Sequence, residues 1–275
     1  MPIAPEVVVV GCGISGLTTA LRLQDAGRSV EIVTAEPPER TTSAVAAAFW
    51  YPYLAFPRDR VLQWSERTFR VLQEDAREPG SGVRMGEARE LFRTPQPDPW
   101  WIGAVDRFER LPSALLPAGY EEGHRFWVPI AEMPVYLEWL GQRFTRRGGV
   151  ITERRLDRID ELAETAPVVV NCAGLGARGL VGDVSMTPIR GQIVRVANPG
   201  LEVVLLDGGN PGGDTYIVPR SRDCVLGGTA IEGDERTEPD PATATAILER
   251  CQALEPRLRD APVIAHQVGL RPGRP

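Results

Sequence analysis

The chain has 275 residues, 43% of them hydrophobic and 25% charged, a balance under which disorder is not the default and which fits a soluble protein of one large or two interleaved domains. Its 31 basic residues are all arginine and its net charge is −6 with no basic run, which excludes Schiff-base and Walker-lysine chemistry and leaves nucleic acid and anionic membranes without an electrostatic attractor. Two histidines, His124 and His266, and four scattered cysteines, Cys12, Cys172, Cys224 and Cys251, exclude a His-rich metal site and a disulfide framework; no metal is expected, both histidines read as structural, and the cysteines read as buried thiols whose pairing the sequence leaves open.

The start, MPIAPEVVVVGCG, lacks a basic region and an apolar signal core, and no stretch approaches a membrane span, so a cytoplasmic protein is expected. Val7 to Val10 form a β-branched run that predicts a strand buried on both faces of a parallel sheet. Gly11-Cys12-Gly13-Ile14-Ser15-Gly16 follows at once, then a helix carrying Leu17, Ala20, Leu21 and Leu23 that ends near Gly27, then a second strand at Val30 to Val33 and an acid, Glu36. Strand, glycine turn, helix, strand and acid is the order a dinucleotide-binding unit requires. Gly11 permits the tight turn, Gly13 lets backbone approach a pyrophosphate, and Gly16 lets the helix pack close, while the helix N-terminus offers free N–H groups to an anion. Glu36 is placed to accept from ribose hydroxyls, which argues against a 2′-phosphate.

Residues 41–56 run from small residues into aromatics, and 62–74 predict a helix. Residues 78–122, rich in Pro and Gly, suggest an insertion. A helix is predicted from about Pro134 to Arg147, and Val168 to Val170 predict another buried strand leading into Asn171-Cys172-Ala173-Gly174. From 190 the segments GQIVRV, EVVLL, TYIVP and CVLGG predict an antiparallel sheet, followed by a helix over 241–258 and a strand beginning at Pro262 to His266. The expected fold is α/β: a Rossmann-like domain with a parallel sheet, interleaved with an antiparallel-sheet α+β domain. The expected boundaries place 1–77 and 134–186 in the nucleotide-binding domain, 78–133 and 187–268 in the second domain, and 269–275 back in the first.

Four segments, VVVVGCGISGLTTALRLQDAG, TTSAVAAAFWYPYL, VVVNCAGLGAR with RGQIVRV, and TYIVPRSRDCVLGGT leading to GLRPGRP, together resemble the D-amino-acid oxidases within the FAD-dependent amine oxidases. That resemblance implies non-covalent FAD. Gly11, Gly13, Ile14, Ser15 and Gly16 would cradle its pyrophosphate and Glu36 its adenosine ribose, while Thr42, Ser43, Ala47, Ala48, Trp50, Leu156, Ala173 and Gly174 would line the flavin and phosphate path. It further implies that Arg271 binds a substrate carboxylate, that Tyr216 hydrogen-bonds the same group, and that Phe49, Tyr51 and Tyr53 shape the side-chain pocket. The expected activity is oxidation of neutral or apolar D-amino acids by O2 to 2-oxo acids, ammonia and hydrogen peroxide, in a monomer or homodimer. The alternatives are a D-aspartate oxidase, for which Arg220 and Arg222 are the candidate second cations, a glycine oxidase, or a truncated, non-catalytic dinucleotide-binding module. Members of the family continue past the matched arginine with a second glycine-rich stretch and a closing helix, so the family's C-terminal part is expected to be absent. The loop GGNPGGD, with Gly212 where some members carry a lid tyrosine, implies a less gated pocket.

Overall fold

The computed structural model describes residues 4–53 and 55–275; Leu54, which closes the motif TTSAVAAAFWYPYL, and the first three residues lie outside them. In chain order the elements are β1 (Val7–Val10), α1 (Ile14–Asp25), β2 (Val30–Thr34), α2 (Thr42–Val45), α3 (Arg58–Asp75), β3 (Val83–Phe92), β4 (Phe108–Arg110), β5 (Glu122–Ala131), α4 (Met133–Arg146) and β6 (Val150–Glu153). There follow β7 (Val168–Asn171), α5 (Ala177–Leu180), β8 (Thr187–Ala197), β9 (Val204–Gly208), β10 (Thr215–Pro219), β11 (Asp223–Gly227), β12 (Ile231–Glu232), α6 (Pro241–Leu254) and β13 (Val263–Gly273).

The smaller sheet is parallel, in the order β6-β2-β1-β7. All four valines of β1 are buried, because β1 has a strand on each side and apolar layers on both faces. On one face α1 and α4 contribute Leu17, Leu21, Leu137, Leu140 and Phe144; on the other lie Leu162 and Ala166. In α4 the buried positions Met133, Tyr136, Leu137, Leu140 and Phe144 form a single helical stripe. Two strands of this sheet depart from expectation. The run at β7 is not buried: it occupies the sheet edge and Val168 is 50% exposed, since a strand flanked on one side only cannot hide the same residues as β1. The four-residue β6, on the opposite edge, carries too little periodicity to be read from sequence.

The larger sheet runs β12-β8-β11-β10-β9-β3-β5-β4, with β13 also paired to β8. It is mixed rather than wholly antiparallel, because β3 and β9 run parallel where the two sequence-distant parts of this domain meet. The expected return of 269–275 to the nucleotide-binding domain does not occur at 269–273. Residues Ala265 to Gly273 pair continuously with β8, in register from Ala265 opposite Arg195 to Gly273 opposite Thr187. The predicted helix over 241–258 stops at Leu254, where Pro256 forces a break before a short 3-10 turn.

Residues 46–53 join the two cores. Ala48 packs on the nucleotide-domain core, whereas Ala47, Phe49 and Tyr51 pack on the core beneath the larger sheet. The chain is held there by β5: Trp50 N donates to Pro129 O at 2.8 Å, Ala131 N donates to Ala48 O at 2.8 Å, and Phe49 bridges Ile130. Ala48 has a φ of 45°, uncommon for a residue with a Cβ and sustained here by these flanking bonds.

Candidate active site

At the carboxyl end of β1 the glycine turn is built by close contact. Gly11 has a φ of 104°, and a Cβ there would lie 2.5 Å from Cys172 O at the end of β7. A Cβ on Gly16 would lie 1.8 Å from Gly11 O, so only glycine lets α1 begin against the turn. Gly13 faces Ser43, whose Oγ accepts from Ile14 N at 3.0 Å, and it caps α1 without a side chain, so the first-turn N–H groups of Ser15 and Gly16 have no intrahelical carbonyl. No acidic residue occupies that first turn. Ala173 and Gly174 follow β7 beside this end of β1, and Leu156 packs nearby in the layer containing Val10 and Val33. Glu36 lies just past β2, partly exposed, with its carboxylate shared by Arg155 at 3.1 Å and Arg40 at 3.9 Å.

A cleft of about 1520 Å³ extends from α1 to β13, lined among others by Ile14, Ser15, Ala48, Phe49, Tyr51, Tyr53, Ala230 and Arg271. Arg271 arises from β13 and passes over Gly191 of β8, where a Cβ would sit 2.6 Å from its Nη1. Its Nη1 donates to Thr229 O at 3.1 Å, and among the described residues it makes no ion pair. Thr42 ties this strand to the nucleotide domain, its Oγ1 donating to Leu270 O at 3.3 Å. Tyr216 stands on β10, close enough to Arg271 to feel its charge. Its ring packs on Gly227 and Gly228, and burial, more than any neighbouring charge, pushes its hydroxyl up to about 12 against the opposing pull of Arg271. Tyr53 donates to Asp214 Oδ2 at 3.2 Å, and burial followed by the Asp214 charge raises its pKa.

Trp50 is among the residues lining the cleft; its indole is buried and donates from Nε1 to Ser65 O at 2.8 Å. It anchors the segment that carries Phe49 and Tyr51. The candidate second cation Arg220 is drawn away: it is buried and donates to Ala46 O at 2.9 Å. At about 3.3 Å per residue it lies roughly 13 Å along the strand from Tyr216. The four cysteines are free thiols, and burial pushes Cys12, Cys224 and Cys251 up to about 12, which leaves them unreactive at neutral pH.

Residues 6–275 match the family described as FAD dependent oxidoreductase. The chain belongs to that family. It is 57% identical over 274 residues to a D-amino-acid oxidase of Rubrobacter xylanophilus, covering 99% of this chain and 84% of the relative. It is also 37% identical over 281 residues to the human D-aspartate oxidase, covering 98% and 82% respectively. Among solved structures, glycine oxidase from Geobacillus kaustophilus superposes with a TM-score of 0.80 at 20% identity, over 98% of this chain and 83% of that one, and so shares the fold.

FAD is the cofactor of this family, and the glycine cradle fits it: the turn is bare of side chains where a pyrophosphate must approach, first-turn N–H donors are free of intrahelical partners, and no acidic residue stands in that first turn of α1. Gly16→Ala is expected to purify with most of its FAD lost, read as the ratio of flavin to protein absorbance, and to lose about 1–3 kcal/mol or more of stability. Full retention of flavin would refute the role given to this contact. Residues that the sequence reading missed are Gly191 and Gly227, which make room for Arg271 and Tyr216, and Glu90, which accepts from Tyr51. The glycines stood inside the matched segments RGQIVRV and VLGGT without any sign of which side chain they accommodate; nothing local marked Glu90.

No helix among the described residues is long and apolar enough to cross a membrane.

Proposed function

We propose that the chain oxidises neutral or apolar D-amino acids, giving an imino acid that hydrolyses to a 2-oxo acid and ammonia, with O2 reduced to hydrogen peroxide. The observation that carries this reading is Arg271, a cleft-lining guanidinium with no carboxylate partner among the described residues. The substrate Cα–H leaves as hydride, and FAD supplies the two-electron acceptor and its reoxidation by O2. No side chain is then required to remove the Cα proton, which accords with a site poor in histidine and free of lysine.

The protein's share of the work is binding and alignment. Arg271 offers a planar fork to the carboxylate, and its bond to Thr229 O and its seat over Gly191 hold that fork in one orientation. The Tyr216 hydroxyl, which burial keeps protonated at neutral pH, is assigned the second bond to the same carboxylate. Phe49, Tyr51 and Tyr53 receive the side chain, so carboxylate, Cα–H and side chain are fixed at three points and one enantiomer is selected. An acidic substrate would need a second cation, and the engagement of Arg220 with Ala46 argues against one. We place the reaction in the cytoplasm, with the chain a monomer or homodimer.

The test is peroxide release from the FAD-loaded protein. D-valine and D-alanine should give it and their L-enantiomers should not. A preference for D-aspartate, or turnover of either L-enantiomer at a comparable rate, would overturn the reading.

A further inference from the structure

Three tyrosine and phenylalanine rings form the wall assigned above to the substrate side chain, yet two of them carry hydroxyls that could make it polar. The hydroxyl of Tyr51 does not serve the cleft. It donates to both oxygens of Glu90, at 2.9 and 3.1 Å, and Glu90 is 9% exposed and takes no part in lining the cleft. Glu90 stands on β3, opposite His124 of β5 on one side and Leu206 of β9 on the other, within the core beneath the larger sheet. The Tyr51 ring is hemmed by Phe49, Trp101 and Phe126, with centroids at 5.7, 5.5 and 6.3 Å. A ring so confined has its hydroxyl end anchored in the core and only its carbon surface left to face the cleft.

A buried carboxylate in an aromatic core is an unfavourable choice for packing alone. What it does here is consume the one polar atom of Tyr51. We propose that Glu90 is a specificity-determining residue: by holding the Tyr51 hydroxyl in the core it keeps the side-chain pocket apolar, and so favours aliphatic D-amino acids over their hydroxylated isosteres. Glu90 touches no substrate and acts through Tyr51, so it is a positioning residue. The inference deepens the function proposed above and rests on the placement of the substrate side chain against Tyr51.

D-valine and D-threonine differ by a methyl against a hydroxyl at nearly constant shape, so the ratio of their kcat/KM values reads the polarity of the wall. A hydrophobic pocket discriminates such a pair by up to roughly 100-fold. In Glu90→Leu the Tyr51 hydroxyl has no acceptor in the core and turns to the cleft, and the ratio is expected to fall by about tenfold. Glu90→Gln, which keeps an acceptor, should retain the wild-type ratio. The double variant Tyr51→Phe/Glu90→Leu has no hydroxyl to release and should recover it, a rescue that general loosening of the core would not produce. A wild-type ratio in Glu90→Leu overturns the proposal, as does a ratio in Glu90→Gln as low as that of Glu90→Leu, or failure of the double variant to recover. Wild-type protein that releases no peroxide with any D-amino acid would overturn the underlying function as well; activity with an unmoved ratio strikes the role of Glu90 alone.

Discussion

Replacing Arg271 by alanine is expected to cost about 2–5 kcal/mol of substrate interaction, a loss of about 30-fold or more in kcat/KM. Arg271 is a cleft-lining cation with no carboxylate partner among the described residues, so its removal leaves the substrate carboxylate desolvated against Thr229 O and the glycine-lined strand behind it. Because the carboxylate sets the position of Cα, the damage should fall on kcat as well as KM. Arg271→Lys should restore little: an ammonium is a point charge that cannot make the paired fork contact or rest flat over Gly191. FAD content should be unchanged in both, since the cradle lies at the end of β1. Steady-state kinetics with D-valine decide the matter, and wild-type kinetics in Arg271→Ala would remove the basis of the functional assignment.

Neutralising Glu90 should change how stability depends on pH. Burial pushes the Glu90 carboxyl up to about 7 from the ordinary 4.5, offset in part by the Tyr51 hydrogen bond. The folded protein therefore binds the proton more tightly than the unfolded chain. Stability from this group is fully present below pH 4.5 and lost as pH rises through 7, by about 3 kcal/mol across the window. His124, across the strand pair from Glu90, has the opposite sign. Burial, reinforced by the charge of Arg110, holds it down to about 4 from the ordinary 6.5, so its contribution is present above pH 6.5 and lost as pH falls through 4. Between pH 4.5 and 6.5 the two slopes oppose one another in the wild type. Glu90→Gln removes one of them: relative to wild type it should gain about 3 kcal/mol on going from pH 4.5 to pH 8, measured by urea unfolding at each pH. A difference that does not vary with pH would show that the carboxyl titrates normally in the folded state.

Much of the nucleotide-binding unit was legible because its signals are local. Val7 to Val10, the three glycines and Glu36 lie within thirty residues, and the strand and the glycine turn form through close neighbours in the chain. The sheet edges were less legible. Val168 to Val170 has the same composition as β1 but a different fate, because burial depends on what flanks a strand and not on the strand itself. The continuation of β13 along β8 escaped notice for a related reason. The turn-forming Gly and Pro of GLRPGRP suggest a departure from the sheet, whereas the partner strand, some eighty residues earlier, keeps the segment paired through Gly273.

By itself the sequence determined the cofactor unit and the family resemblance, and through that resemblance singled out Arg271, since the motifs reside in residue types at fixed short spacing. It also determined that any cation gripping a substrate would be arginine, there being no lysine. Only the tertiary structure decided that Arg271 lines the cleft with no ion pair among the described residues, that the Trp50 indole is tied to Ser65 and Arg220 to Ala46, and that the Tyr51 hydroxyl is bound by Glu90. The physical reason is common to all four. A polar atom's role depends on whether it already has a partner, and the partners here, Thr229, Ser65, Ala46 and Glu90, are brought up by chain folding from 15 to 174 residues away.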